Sequence, residues 1–162
     1  MALSSDMFTE RGFGLITPPG GEVACYSTHV PLANPVTVGN LRLMGPKLSE
    51  AASLILPTGR LDVVAYGCTS ASVAIGPEEV TAQIQKGCPG VEVVTSISAA
   101  TAAFKTCDGK RISLLTPHMA DVTQAMASFI EDQGSEVLNF AHFNLLDDQD
   151  VARLISGQTP LD

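Results

Sequence analysis

Hydrophobic and polar positions along this chain form short apolar runs that alternate with longer amphipathic stretches. The apolar runs have the length of strands and lie at 12–21, 61–67, 91–96, 110–117 and 135–143. Apolar residues at helical spacing mark the segments between them, at 40–56, 77–86, 98–106, 119–134 and 147–156. This alternation predicts an α/β fold with a parallel sheet flanked by helices.

Two of these segments predict details of packing. The helix at 40–56 is expected to be continuous and to end at Pro57, which cannot extend it. The run "LDVVAYG" at 61–67 is rich in β-branched residues without polar alternation, which predicts a strand buried on both faces. Residues 23–39 contain two prolines and predict a loop with one short extended piece.

Polar loops follow three of the predicted strands, at 17–21, 67–72 and 116–118. Ligands of open parallel sheets bind beyond the carboxyl ends of the strands. The three loops are therefore expected to converge on one crevice.

The loop at 67–72 carries the strongest candidate for chemistry, the thiol of Cys68. Backbone N–H groups and a helix N-terminus can lower the pKa of a thiol at such a junction, and a thiol tuned near neutrality can move a proton at carbon. Thr69 and Ser70 add two hydroxyl and two backbone donors that could hold a carboxylate. The alternative is a structural thiol in a tight turn.

Other candidates are weaker. Pro18, Pro19 and Gly20 belong to a Pro-Pro-Gly-Gly turn that could cradle an anion, although such turns are common. His118 follows a strand end and could act as a general acid or bind a carboxylate. The remaining thiols lie at 25, 88 and 107 and lack a comparable setting.

Composition and charge limit which binding partners and which cellular compartment are expected. The chain has 162 residues and a formal net charge of −8, which argues against nucleic acid and anionic membranes as partners. It shows no apolar run of membrane-spanning length and no secretory signal pattern, so a cytoplasmic protein is expected. The four cysteines form no C-x-x-C motif, so reduced thiols and no metal site are expected.

Several stretches carry a family resemblance: "GLITPPGG", "VVAYGCTSASVAIGPEE", "VVTSISAA", "RISLLTPHMADV" and "LLDDQDVARL". In order and spacing they resemble the aspartate/glutamate racemase superfamily, in the branch that contains maleate cis-trans isomerase and arylmalonate decarboxylase. The stretch from "VPLANPV" to "YGCTSASVAIG" is most similar to racemase-like proteins associated with ectoine catabolism.

The resemblance implies a mechanism without a cofactor, in two similar α/β halves that each contribute a cysteine. Cys68 matches the first-half cysteine, and Thr69 and Ser70 match a carboxylate or oxyanion pocket. The loop at 18–20 matches another part of that pocket. His118 stands where relatives often place a tyrosine that binds the substrate carboxylate.

The chain is shorter than members of this family, and no cysteine follows Cys107 to match the cysteine of the second half. The resemblance therefore implies a first domain at 1–108 and the start of a second, incomplete domain at 109–162. An open sheet edge and apolar helix faces are then expected, with marginal stability or self-association. The resemblance also implies a homodimer.

Three functions remain open from the sequence. The first is a racemase or isomerase of a small carboxylate or amino acid, including an ectoine-derived one, with Cys68 transferring a proton at carbon. The second is a maleate-type cis-trans isomerase that forms a covalent bond to Cys68. The third is a non-catalytic carboxylate-binding protein.

Overall fold

A computed structural model describes residues 1–17, 20, 22–32 and 34–156 of the chain. Within these ranges the strands are β1 (Ala2–Leu3), β2 (His29–Val30), β3 (Val63–Tyr66), β4 (Glu92–Thr95), β5 (Arg111–Thr116) and β6 (Glu136–His142). The helices are α1 (Thr9–Ile16), α2 (Val38–Arg42), α3 (Gly45–Ser53), α4 (Thr69–Ile75), α5 (Pro77–Gly87), α6 (Ser96–Thr106), α7 (Ala120–Asp132) and α8 (Asp148–Ser156). The predicted α/β fold with parallel strands flanked by helices is confirmed.

The strands pair in parallel, β1 with β2, β3 with β4 and β5 with β6. Two hydrogen bonds join Met1, the residue before β1, to the end of β3: the Met1 nitrogen donates to the Ala65 carbonyl at 2.7 Å, and the Gly67 N–H donates to the Met1 carbonyl at 2.9 Å. The carboxyl end of β3, where Cys68 follows, is therefore anchored by the first residue of the chain. The division into domains at 1–108 and 109–162 stays a prediction.

The predicted strand at 12–21 is wrong, because residues 9–16 form helix α1. The Asp6 carboxylate accepts hydrogen bonds from the backbone N–H groups of Phe8 and Thr9 at 2.7 and 2.8 Å, which satisfies donors at the start of the helix. Met1, rather than the apolar run, forms the hydrogen bonds beside the end of β3. Leu15 and Ile16 accordingly remain 74% and 73% exposed.

The predicted continuous helix at 40–56 is also wrong, because α2 ends at Arg42 and α3 begins at Gly45. Pro46 has no N–H to donate into a preceding turn and instead takes a position in the first turn of α3. The apolar face itself was predicted correctly. Its buried members are Leu41, Met44, Leu48, Ala51, Ala52 and Ile55.

Strand β3 is buried on one face only, contrary to prediction. Val64 and Tyr66 are buried in the core, whereas Val63 is 50% exposed. The exposed face of β3 borders an open cavity of about 760 Å³, which separates Val63 from the α1 residues that line the same cavity.

Apolar side chains near β5 and β6 are exposed, in line with the expected open faces. They are Leu115, Leu138, Phe140, Phe143 and Leu146. Across the described part of the chain, no helix combines the length and the apolar character needed to cross a bilayer.

Candidate active site

A cavity of about 270 Å³ lies at the carboxyl ends of β3 and β5. Cys68, Thr69 and Ser70 line it from the junction of β3 and α4, and His118 lines it from the loop after β5. Asp148, the first residue of α8, also lines this cavity. The structure thus brings the segments at 67–72 and 116–118 to one cavity, although the prediction of a loop at 67–72 is wrong from Thr69 onward, where helix α4 begins.

The third predicted loop lies elsewhere. Gly20 borders the larger cavity on the exposed face of β3, whereas Pro18 and Pro19 lie outside the described residues. Residues 5–9, the turn that leads into α1, line the Cys68 cavity. Because α1 replaces the predicted strand at 12–21, the loop after it starts away from the carboxyl end of β3.

Cys68 is the N-cap residue of α4 and is only 4% exposed. Its Sγ lies 3.7 Å from the Ser70 Oγ, within reach of a weak hydrogen bond to sulfur. Its carbonyl accepts hydrogen bonds from the Ser72 hydroxyl at 2.6 Å and the Ser72 N–H at 3.0 Å. These contacts fix the backbone at the junction and hold the sulfur at the cavity wall.

Burial raises the pKa of the Cys68 thiol above its ordinary value. The Ala71 backbone N–H and the Ser70 and Tyr66 hydroxyls act in the opposite direction, and the Asp148 carboxylate adds to the rise. The expected lowering of this pKa is therefore wrong, because desolvation outweighs the donors. The resting group is a neutral thiol that must lose its proton before it can act as a nucleophile.

Ser70 is buried and Thr69 is half-buried, and both lie in the first turn of α4. Backbone N–H groups of a first helical turn have no acceptor within the helix. Together with the two hydroxyls they give one wall of the cavity a set of hydrogen-bond donors suited to a carboxylate.

His118 supplies a titratable ring to the lining of the cavity. Burial lowers the pKa of its imidazole, so the ring is neutral at physiological pH. Its Nδ1 is buried and has no hydrogen-bond partner among the described residues. A neutral imidazole can accept a proton, so His118 is a candidate base among the residues that line this cavity.

Sequence reasoning missed two side chains that act on Cys68. Tyr66 lies two residues earlier on the same buried face of β3, a relation that strand alternation could have revealed. Asp148 comes from a distant acidic segment, and its approach to Cys68 depends on tertiary packing. In the described ranges, no group of three or more His, Cys, Asp or Glu side chains is placed to hold a metal ion.

Replacing Asp148 with asparagine is expected to increase the reactivity of Cys68. The change removes a negative charge that disfavours the thiolate, so alkylation of Cys68 by iodoacetamide at neutral pH should accelerate about threefold. Peptide-resolved mass spectrometry measures the rate at each thiol. Asp150→Asn is the matched control, since Asp150 lies on α8 but pairs with Arg153 at 3.2 Å. Equal effects of the two variants would contradict the assigned role of Asp148.

Comparison with curated proteins gives maleate isomerases as relatives. No family model matches the chain. It is 27% identical over 115 residues to maleate isomerase from Pseudomonas putida, covering 65% of this chain and 45% of that protein. It is 28% identical over 128 residues to maleate isomerase from Geobacillus stearothermophilus, covering 73% and 49%. The chain thus spans about half the length of the curated relatives it matches.

Solved structures agree at the level of the fold. A variant of Nocardia farcinica maleate cis-trans isomerase with a covalently bound succinylcysteine intermediate superposes with a TM-score of 0.76 at 22% identity, covering 93% of this chain and 64% of that one. A double variant of arylmalonate decarboxylase in the liganded form gives a TM-score of 0.61 at 20% identity, covering 74% and 51%. The chain is therefore similar in sequence to maleate isomerases, and it shares the fold of the solved maleate isomerase and arylmalonate decarboxylase structures.

Proposed function

We propose that this chain carries the nucleophilic half of a cofactor-independent isomerase for a small carboxylate, with Cys68 bonding covalently to the substrate as in a maleate-type cis-trans isomerase. The observation that carries the proposal is one cavity lined by a thiol, a donor-rich helix turn and a neutral imidazole. The maleate isomerase relatives and the succinylcysteine bound in the Nocardia enzyme support this choice of reaction.

The covalent route needs no oxidant or reductant. The thiol proton leaves to His118, and the sulfur electron pair forms a bond to one alkene carbon of maleate. The π electrons move onto the neighbouring carbon and its carboxylate. Rotation about the resulting single bond and cleavage of the carbon–sulfur bond then give the trans alkene and return the thiolate.

Each lining residue has a defined task in this scheme. Thr69 and Ser70 hold the carboxylate that receives the π electrons, because donors aimed at developing charge stabilise it most effectively. His118 stores the thiol proton during the cycle and returns it afterwards. These donors supply the charge stabilisation that the scheme needs on the Cys68 side of the cavity.

A second reaction uses the same thiol differently. Cys68 could remove the α-proton of an amino acid, including an ectoine-derived one, and so act as a racemase that needs a second group on the opposite face. A partner chain would supply that group as a homodimer. The buried, neutral Cys68 also fits a third role, a protein that binds carboxylates without reacting.

Proton NMR in D₂O separates these functions. With maleate, the proposal predicts fumarate that retains both of its carbon-bound protons, because the covalent route exchanges neither. Deuterium in a recovered amino acid would instead support proton transfer at carbon. Binding of either ligand without any conversion would contradict the proposed activity and favour the binding protein.

A further inference from the structure

Three buried side-chain polar atoms in the described part of the chain lack a hydrogen-bond partner: the Tyr66 hydroxyl, His118 Nδ1 and His142 Nδ1. Native structures keep few such atoms, because leaving a buried polar group unpaired costs free energy. Tyr66 lies two residues before Cys68, and His118 lines the same cavity as Cys68. This grouping suggests that the missing partner is formed during the reaction.

Tyr66 is held in one place by its surroundings. Its side chain is 1% exposed and belongs to the hydrophobic core, and strand alternation puts it on the same face as Cys68. Its hydroxyl is close enough to the sulfur to favour the thiolate, yet it makes no regular hydrogen bond to the neutral thiol. A thiol is a weak acceptor, whereas a thiolate accepts strongly.

We propose that Tyr66 is a positioning residue of the proposed isomerase: its hydroxyl, unpartnered beside the resting thiol, donates a hydrogen bond to the Cys68 thiolate that forms during the reaction. The S–H bond breaks, the proton passes to His118 as in the proposed function, and the electron pair stays on sulfur. The Tyr66 hydroxyl gains a hydrogen-bond acceptor in this step. The inference rests on the proposed function, since it is Cys68 that reacts.

Other groups around Cys68 also change the stability of its thiolate. The Ser70 hydroxyl and the Ala71 N–H also favour the thiolate, and Asp148 opposes it. Asp6 lines the same cavity, but its carboxylate is engaged by Phe8 and Thr9. Tyr66 therefore differs from Asp6, because its hydroxyl has no hydrogen-bond partner in the described structure.

Tyr66→Phe tests the proposal, because it removes one oxygen and keeps the ring in the core. Iodoacetamide alkylation of Cys68 should slow about tenfold at neutral pH, and its pH profile should move to higher pH, in keeping with a lost hydrogen bond to a charged group. The melting temperature should stay equal or rise, because no hydrogen bond of the resting state is lost. Alkylation of the exposed Cys107 serves as the internal control. An unchanged profile at Cys68 would overturn the proposal.

A second measurement covers the case in which Tyr66→Phe does not fold. In a Tyr26→Phe background, Tyr66 is the only tyrosine, so biosynthetic 3-fluorotyrosine changes that ring alone. Fluorination makes the phenol a stronger donor, and Cys68 alkylation should accelerate relative to the unlabelled protein. No acceleration would contradict the proposed contact. Alkylation is independent of maleate turnover, so a failure of the proposed function would be seen separately by NMR.

Discussion

Replacing Cys68 with serine is expected to reduce conversion of maleate to fumarate by about three orders of magnitude or more, the usual effect of removing an essential nucleophile. The serine hydroxyl is similar in size and would keep the contact with Ser70, so the fold should be preserved. A hydroxyl at this position has no adjacent base strong enough to ionise it, whereas a thiol can ionise. Fumarate formation followed by NMR gives the rate.

The matched controls are Cys25→Ser and Cys107→Ser, because both thiols are exposed and neither lines the Cys68 cavity. Both variants should retain the parent rate. If Cys68→Ser kept the parent rate, the thiol would not react with substrate. If Cys107→Ser or Cys25→Ser abolished conversion instead, the site would have been assigned to the wrong cysteine.

Replacing Gly87 with alanine is expected to destabilise the fold by about 2–3 kcal/mol, the cost of overpacking a close contact. Gly87 ends α5 where this helix crosses α3. An added Cβ would collide with the Ser49 carbonyl oxygen, and it would lie 2.8 Å from the Ser53 nitrogen and 2.9 Å from the Ala52 Cβ. Most of these atoms are backbone, so relief requires the two helices to separate. Urea unfolding monitored by circular dichroism measures the change.

Gly12→Ala is the matched control for Gly87→Ala. Gly12 lies inside α1, and an added Cβ would meet nothing within 4 Å. Alanine there should raise stability by about 0.5–1 kcal/mol, because it restricts the unfolded chain and favours the helix. Equal unfolding midpoints for Gly87→Ala and the parent would show that α3 and α5 do not approach this closely in solution.

Local patterns were sufficient to predict β3 to β6 and most helices to within a few residues. They also predicted that Cys68, Ser70 and His118 would line one crevice, because ligand sites of parallel α/β folds lie beyond the carboxyl ends of the strands. The helical periodicity of 40–56 identified the buried face even though Pro46 interrupts the helix. The elements and the buried face could be predicted because they depend on spacing between residues that are near in sequence, whereas the shared cavity of Cys68 and His118 follows from the general geometry of parallel strands.

The failures depend on residues that are distant in sequence. Residues 12–16 are apolar enough for a strand, but Met1 occupies the neighbouring position through its hydrogen bonds to Ala65 and Gly67. The pKa of Cys68 depends on burial under residues 5–9 and α8, which no property of the loop at 67–72 could reveal. The position of Asp148 near the thiol has the same origin.

Peptide mapping of the parent protein after acid quenching of a reaction with maleate tests the central claim most directly. The account predicts a mass increase of one maleic acid on the peptide that contains Cys68, reaching a plateau as maleate concentration rises. The exposed thiols at 25 and 107 should show only slow, unsaturable modification. Modification of those thiols with none at Cys68 would contradict the claim that this buried sulfur is the reacting group.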